Sequence, residues 1–173
     1  MLYENFISIE EQENLRDWAY KEECRLNPNG PGRFFNKIKN LSENELVYTI
    51  KERIIKKFNF LNFKPEPVLS DWVGIIKKGG FVHFHTDKFT HLYIGEHHRL
   101  NVLIQLPEEG GINIYDGKEL AVKERMLVYY RPDLYEHGST RVIGNRHRLN
   151  LSFGFVKDMK VHPIYALAAG SNI

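Results

Sequence analysis

From Val68 onward the sequence reads with a period of two. Short runs of alternating apolar and polar residues recur over 69–76, 81–85, 100–106, 112–115, 120–122, 126–130, 135–142 and 147–156. Successive side chains of a strand leave opposite faces, so these runs predict half-buried strands. Turn residues separate most of them: Lys78-Gly79-Gly80, the stretch from Pro107 to Gly111, Asp116-Gly117 and Arg131-Pro132-Asp133. Many short strands at this spacing bury their apolar faces by closing into a sandwich or barrel.

The first third follows a different rule. Ser8-Ile9-Glu10-Glu11 has the form of a capping box, and Leu15, Trp18 and Ala19 follow at helical spacing. The breaker NPNGPG at 27–32 ends that helix. A second box, Ser42-Glu43-Asn44-Glu45, opens a helix over 46–58 whose stripe is Leu46, Ile50, Ile54 and Phe58. Lys64-Pro65-Glu66-Pro67 stops helical structure. The expected architecture is mainly β: one domain, with a helical buttress over 1–63, a barrel over 68–156 and a tail over 157–173.

Composition narrows the function. A formal net charge of +2 does not advertise binding to nucleic acid or an anionic membrane. The single cysteine, Cys24, leaves neither an internal disulfide nor a thiolate metal cluster. The acidic start, MLYENFISIEEQ, does not read as a signal peptide, and no stretch approaches the ~20 apolar residues of a membrane helix. A soluble, cytoplasmic protein is expected.

One segment carries chemistry. In Phe81-Val82-His83-Phe84-His85-Thr86-Asp87, a strand would send His83, His85 and Asp87 to one face. Two imidazoles and a carboxylate are costly to bury there unless something binds them. His85 and Asp87 can reach one ion, and His137 is the candidate third ligand from another strand. Two histidines and one carboxylate on one face of an octahedral ion leave three positions open, the arrangement of Fe(II) sites that activate oxygen. His83 reads as an outer or substrate-facing residue. In the last run, Leu149, Leu151, Phe153 and Phe155 share one face, and Arg146, Arg148, Asn150 and Ser152 share the other. That polar face either meets solvent or points into a barrel mouth, where a guanidinium could grip a dicarboxylate. His91, His97 and His98 fall in a polar loop over 88–98, expected to be solvated and able to close over a substrate. Tyr115, Tyr129, Tyr130 and Trp72 read as core or rim residues.

Lys78-Gly79-Gly80-Phe81 running into His85-Thr86-Asp87, the segment RLNVLIQLPEEGG at 99–111, and His137 followed by Gly144-Asn145-Arg146 together resemble the 2-oxoglutarate/Fe(II) oxygenases of the prolyl-4-hydroxylase-like group. The resemblance spans roughly residues 72–155. It implies a double-stranded β-helix (jelly-roll) core buttressed by helices, with Fe(II) held by His85, Asp87 and His137. It implies 2-oxoglutarate as cosubstrate and O2 as oxidant, releasing succinate and carbon dioxide while a C–H bond of a peptidyl or amino-acid-like substrate is hydroxylated. Its cosubstrate arginine corresponds to Arg146, with Arg148 two positions on as the alternative. Gln105 aligns with a tyrosine that bonds the cosubstrate in many relatives. The strand over 148–153 also resembles the last strand of nucleic-acid demethylases, but Gly154 stands where those carry a second arginine, so nucleic acid is not the expected substrate. Two further readings are a small-molecule or nucleobase oxygenase of the same superfamily and a catalytically silent jelly-roll binding module.

Overall fold

A computed structural model describes residues 1–87 and 93–161, with the backbone alone at Tyr93 and Val161. In chain order the strands are β1 (Leu2–Tyr3), β2 (Asn27–Pro28), β3 (Arg33–Lys37), β4 (Lys64–Pro65), β5 (Trp72–Ile76), β6 (Val82–His85), β7 (Tyr93–Gln105), β8 (Asn113–Tyr115), β9 (Lys118–Glu119), β10 (Leu127–Tyr130), β11 (His137–Ser139) and β12 (Arg148–Val161). Helix α1 spans Ile9–Lys21 and α2 spans Glu45–Phe58. The strands form two antiparallel sheets. The major one has the order β1-β10-β7-β12-β5-β3-β2, with β4 also on β12, and the minor one runs β6-β11-β8-β9.

Alternation along β12 sets the layers. Leu149, Leu151, Phe153 and Phe155 are buried in one core with Leu15, Trp18, Ile50 and Ile54 of the two helices and with Leu100, Val102 and Ile104 of β7. The opposite face of the major sheet carries Arg148, Asn150, Arg99 and Asn101 and looks toward the minor sheet across a cavity. Helix α1 starts as its sequence demands: Ser8 Oγ accepts from the Glu11 N–H at 3.1 Å, and Glu11 Oε2 accepts from the Ser8 N–H at 2.9 Å. Helix α2 starts within the second box, but Ser42 is not its cap. Asn44 caps it, accepting from the Leu46 N–H at 3.0 Å, while the Ser42 carbonyl accepts from Trp18 Nε1 and its hydroxyl from Arg25.

Four further expectations change. The N-terminal third is not purely helical, because β3 joins the major sheet beside β5. Residues 120–122 are not a strand: pairing ends at Glu119, and Leu120 and Val122 pack on Leu103, Met126 and Val128. Strand β7 begins at Tyr93, so His97 and His98 lie in a strand rather than in a solvated loop, 3% and 6% exposed. They are buried because partners exist: His98 Nδ1 lies 2.6 Å from the Tyr129 hydroxyl, and His97 Nδ1 lies 3.8 Å from Asp87. The tail expected over 157–173 begins instead as part of β12, which runs to Val161; its remainder, His91 and the rest of 88–92 lie outside the described residues.

Candidate metal centre

Strands β6 and β11 are neighbours, and His85 sits directly across from His137. Cross-strand partners project to one face, and the two rings stand 4.4 Å apart between centroids, inclined at 45°. Gly138 permits this approach, because a Cβ there would lie 2.7 Å from the Phe84 ring and 2.8 Å from the Val82 carbonyl. Asp87 leaves the end of β6 with its N–H donated to the Pro132 carbonyl at 2.8 Å. One ligand atom each from His85, Asp87 and His137 lies within 4.8 Å of the other two. Asp87 Oδ1 is 3.2 Å from His85 Nε2 and 3.7 Å from His137 Nε2.

The ring orientations follow from the main chain. His85 Nδ1 lies 2.7 Å from the His83 carbonyl, and His137 Nδ1 lies 3.4 Å from the Tyr135 carbonyl. With each Nδ1 at a carbonyl, it is Nε2 of each ring that faces Asp87; at His85 it donates a proton to the carboxylate, and giving up that proton would free the lone pair that a metal ligand requires. His83 thus serves the site through its carbonyl; its exposed ring meets the edge of Phe81. Burial alone would raise the Asp87 carboxyl. The bond from His85 and the nearby His137 and Arg99 outweigh it and hold the group below its ordinary value. The bond to Asp87 raises His85, whereas burial lowers His137. The constellation therefore favours a carboxylate beside imidazoles, a donor set for a divalent cation.

These three residues line a cavity between the two sheets. Arg148, 5% exposed, lines the same cavity. One of its N–H groups donates to the Gly111 carbonyl at 2.9 Å, and its Nε is buried with no acceptor. The Gly110-Gly111 turn has positive φ at both residues, and a Cβ on Gly110 would lie 2.0 Å from the Arg141 carbonyl. Burial pushes the Arg148 pKa down to about 10, so it remains a cation at neutral pH.

Arg146 is not brought to this cavity. Strand β12 begins only at Arg148, so the alternation assumed for Arg146 does not extend to it. Arg146 instead pairs at 2.7 Å with Glu124, which also accepts from Gln12 and from the Leu106 N–H. Gln105 is not brought there either. Leu103 pairs with Asn150 but Gln105 with Leu149, so Ile104 is an extra residue on β7 and turns Gln105 toward the helices. There its amide donates to the Tyr20 hydroxyl at 2.7 Å and the His147 carbonyl at 2.8 Å. Gln12 of α1 donates to the Ile104 carbonyl at 2.7 Å.

Several lining residues are not signalled by motif spacing. Trp72, Tyr115 and Tyr130 line the cavity, whereas Tyr129 packs against the helix-side core. Burial pushes the Tyr130 phenol up to about 12; it accepts from Asn101 at 3.2 Å, and its ring lies 5.2 Å from that of His137. Arg99 is neutralised by Glu66 at 3.1 Å, itself held by three backbone N–H groups. Arg33 of β3 also faces in. Its signal is the aromatic-rich run Arg33-Phe34-Phe35 after the Gly-Pro-Gly turn, a composition that favours strand.

No family model matches the sequence, and no curated protein matches it. Solved structures do match the fold. HygX from Streptomyces hygroscopicus, with nickel, 2-oxoglutarate and hygromycin B bound, is similar at a TM-score of 0.67 and 13% identity, covering 91% of this chain and 82% of that one. A Pseudomonas putida prolyl-4-hydroxylase is similar at 0.67 and 18%, covering 91% of each chain. A prolyl hydroxylase from Trichoplax adhaerens, in complex with a hypoxia inducible factor oxygen degradation domain peptide fragment, is similar at 0.69 and 10%, covering 99% and 87%. The chain has the jelly-roll fold of these proteins, with two sheets that, among the described residues, do not close into a continuous barrel.

Proposed function

We propose that the protein is an Fe(II)- and 2-oxoglutarate-dependent dioxygenase that hydroxylates a C–H bond of a peptidyl residue or amino-acid-like molecule. One observation carries this reading: three metal-type donors and a buried, carboxylate-free guanidinium share one cavity, in a fold also found in a protein with nickel and 2-oxoglutarate bound. His85, Asp87 and His137 would hold the iron. Two nitrogens and one oxygen suit Fe(II) and leave coordination positions free. Bound there with 2-oxoglutarate, iron would supply oxygen activation coupled to release of succinate and carbon dioxide.

The chain's own residues do the rest. Arg148, rather than Arg146, would receive the far carboxylate of 2-oxoglutarate, because its buried Nε lacks an acceptor and a planar guanidinium binds carboxylate in bidentate fashion. The Tyr130 hydroxyl, protonated throughout the neutral range, is free to donate the cosubstrate bond for which Gln105 is not available. Trp72, Leu120 and Val128 line the cavity with apolar surface and limit water. A silent binding module would have no use for this full donor set. No helix among the described residues is long and apolar enough to cross a membrane. A cytoplasmic location fits ferrous iron and the free Cys24.

The test is anaerobic calorimetry, titrating Fe(II) and then 2-oxoglutarate, followed by admission of oxygen. Stoichiometric binding of both and oxygen-dependent succinate are expected. A protein that binds iron but not 2-oxoglutarate would overturn the assignment.

A further inference from the structure

Arg33 and Arg148 lie in one row across the major sheet. Each pairs with Ile76 of the strand between them, so their backbones are about 10 Å apart and their side chains share the cavity face. Both line the cavity. Neither has a carboxylate within ion-pair distance among the described residues, whereas the third lining arginine, Arg99, has Glu66. The undescribed residues 88–92 (KFTHL) contain no acidic side chain.

Arg33 is held but not neutralised. Its guanidinium lies 5.7 Å from the Phe35 ring centroid and 6.0 Å from that of Trp72. Aromatic faces orient a guanidinium and accept none of the N–H bonds that its five donors can make. Burial lowers its pKa, and the Asp87 carboxylate acts against that; Arg148, also lowered first by burial, is lowered further by Arg33. The two cations thus share one electrostatic enclosure with the metal-type donors.

Charge balance then asks for one more anion. With the proposed metal and cosubstrate in place, a dication, the Asp87 carboxylate, a dianionic 2-oxoglutarate and the Arg148 guanidinium sum to zero. The Arg33 charge is left over in a half-buried site, where an uncompensated charge is costly. Among the described residues no carboxylate supplies the balance, which leaves that place to a ligand.

We infer that the hydroxylated substrate is itself a carboxylic acid, and that Arg33 receives its carboxylate and sets specificity. This rests on the proposed oxygenase reading for the identity of the second anion, but not for the anion site itself. The carboxylate meets Arg33 at the β3 side of the cavity, against Trp72, while the rest of the molecule extends toward His85, Asp87 and His137.

The experiment uses the Fe(II)-loaded protein under anaerobic conditions, titrated with 2-oxoglutarate and then with three probe sets. The first is a panel of N-acetyl amino acids. The second is the matching N-acetyl amino acid amides. The third is the N-acetyl amides of aspartate and glutamate, which carry the acid on the side chain. Binding is read by calorimetry and by ligand-observed NMR. At least one free acid should bind ten times or more tightly than its amide, and Arg33→Gln should bring that ratio close to one. Arg33→Lys should keep part of it. In both variants 2-oxoglutarate affinity should stay within about threefold of wild type. Tighter binding of the third set than of the first would assign Arg33 to a side-chain carboxylate rather than a terminal one, still as proposed. Amides equal to acids, no binding of any acid, an acid preference that survives Arg33→Gln, or a loss of 2-oxoglutarate affinity in Arg33→Gln would each overturn the inference. If 2-oxoglutarate fails to bind the wild-type protein while acids still bind through Arg33, the oxygenase reading falls and the anion site stands.

Discussion

The two faces of the major sheet are made from the same strands and obey opposite rules. On the helix side, Leu149, Leu151, Phe153 and Phe155 interleave with Leu15, Ile50 and Ile54, and burial needs no partner beyond more hydrocarbon. On the cavity side, Arg148, Asn150, Arg99 and Asn101 are as deeply buried, yet their burial is tolerable only through specific partners. Arg99 has one in Glu66, and Arg148 has only the Gly111 carbonyl. The first face stabilises the fold; the second leaves binding capacity unspent. Substitutions on the two faces should therefore separate stability from ligand affinity.

The largest effect is expected at the metal-type donors. Asp87→Ala should abolish iron binding and turnover, at a stability cost limited to the lost contacts with His85 and the buried His97 because the carboxylate is 26% exposed and outside the apolar core; calorimetry and differential scanning fluorimetry together check this. Next is the paired cation. Glu66→Gln strands a buried Arg99 and should cost about 4 kcal/mol in chemical denaturation. Burial would raise Glu66, but Arg99 and the backbone N–H groups outweigh it and hold the carboxyl below its ordinary value. Its ionised form thus favours the folded state. That contribution is fully present above the unfolded carboxyl pKa of about 4.3. It is lost as pH falls through the lower folded value, so Glu66→Gln should flatten the acid limb of the stability–pH curve.

On the helix face, Ile54→Ala should cost about 3 kcal/mol of stability through a cavity in the core, with 2-oxoglutarate affinity unchanged in the fraction that stays folded. On the cavity face the converse is expected. Arg148→Gln should weaken 2-oxoglutarate binding on the order of a hundredfold, about 2.7 kcal/mol, with little change in the denaturation midpoint. The smallest effect is Arg146→Ala, which breaks a partly exposed pair with Glu124 and should change either measurement by less than about 0.5 kcal/mol. Exchanged phenotypes for Arg146 and Arg148 would mean that the cavity face is not the cosubstrate face.

What could be read from the sequence divides along the same line. Alternation over residues 147–156 is periodic and apolar, so the helix face of β12 is legible. His85 and Asp87 stand out because they are two positions apart and their chemistry is uncommon, and His137 follows as the third donor that such a pair calls for. The rest depends on partners distant in sequence. His97 and His98 look solvated until Asp87 and Tyr129 arrive from other strands. Gln105 looks inward until one extra residue in β7 rotates it outward, a shift visible only in its pairing with β12. Arg33 sits in a five-residue strand whose partner, β5, lies almost forty positions further on. Arg146 and Arg148 share a face only if the strand includes both, and strand beginnings are fixed by neighbours rather than by residue type.

One contact between two glycines has a consequence for where a reaction would fall. Gly32 has a φ of +59°, and a Cβ on it would lie 2.8 Å from the Gly80 Cα. The Lys77 N–H bonds the Gly32 carbonyl at 2.8 Å, and the chain passes from Gly80 into β6. Arg33, next to one glycine, is thereby coupled to the strand that carries His85, next to the other. An anchor and a reactive centre joined this closely act as a ruler. An acid held at Arg33 would present the carbon a fixed number of bonds from its carboxylate to the metal, so regiochemistry would be set by main-chain proximity rather than by side-chain fit. Lengthening the substrate by one methylene would then leave the hydroxyl the same number of carbons from the carboxylate and one carbon farther from the other end, and a hydroxyl that shifts relative to the acid group would mean that the ruler bends.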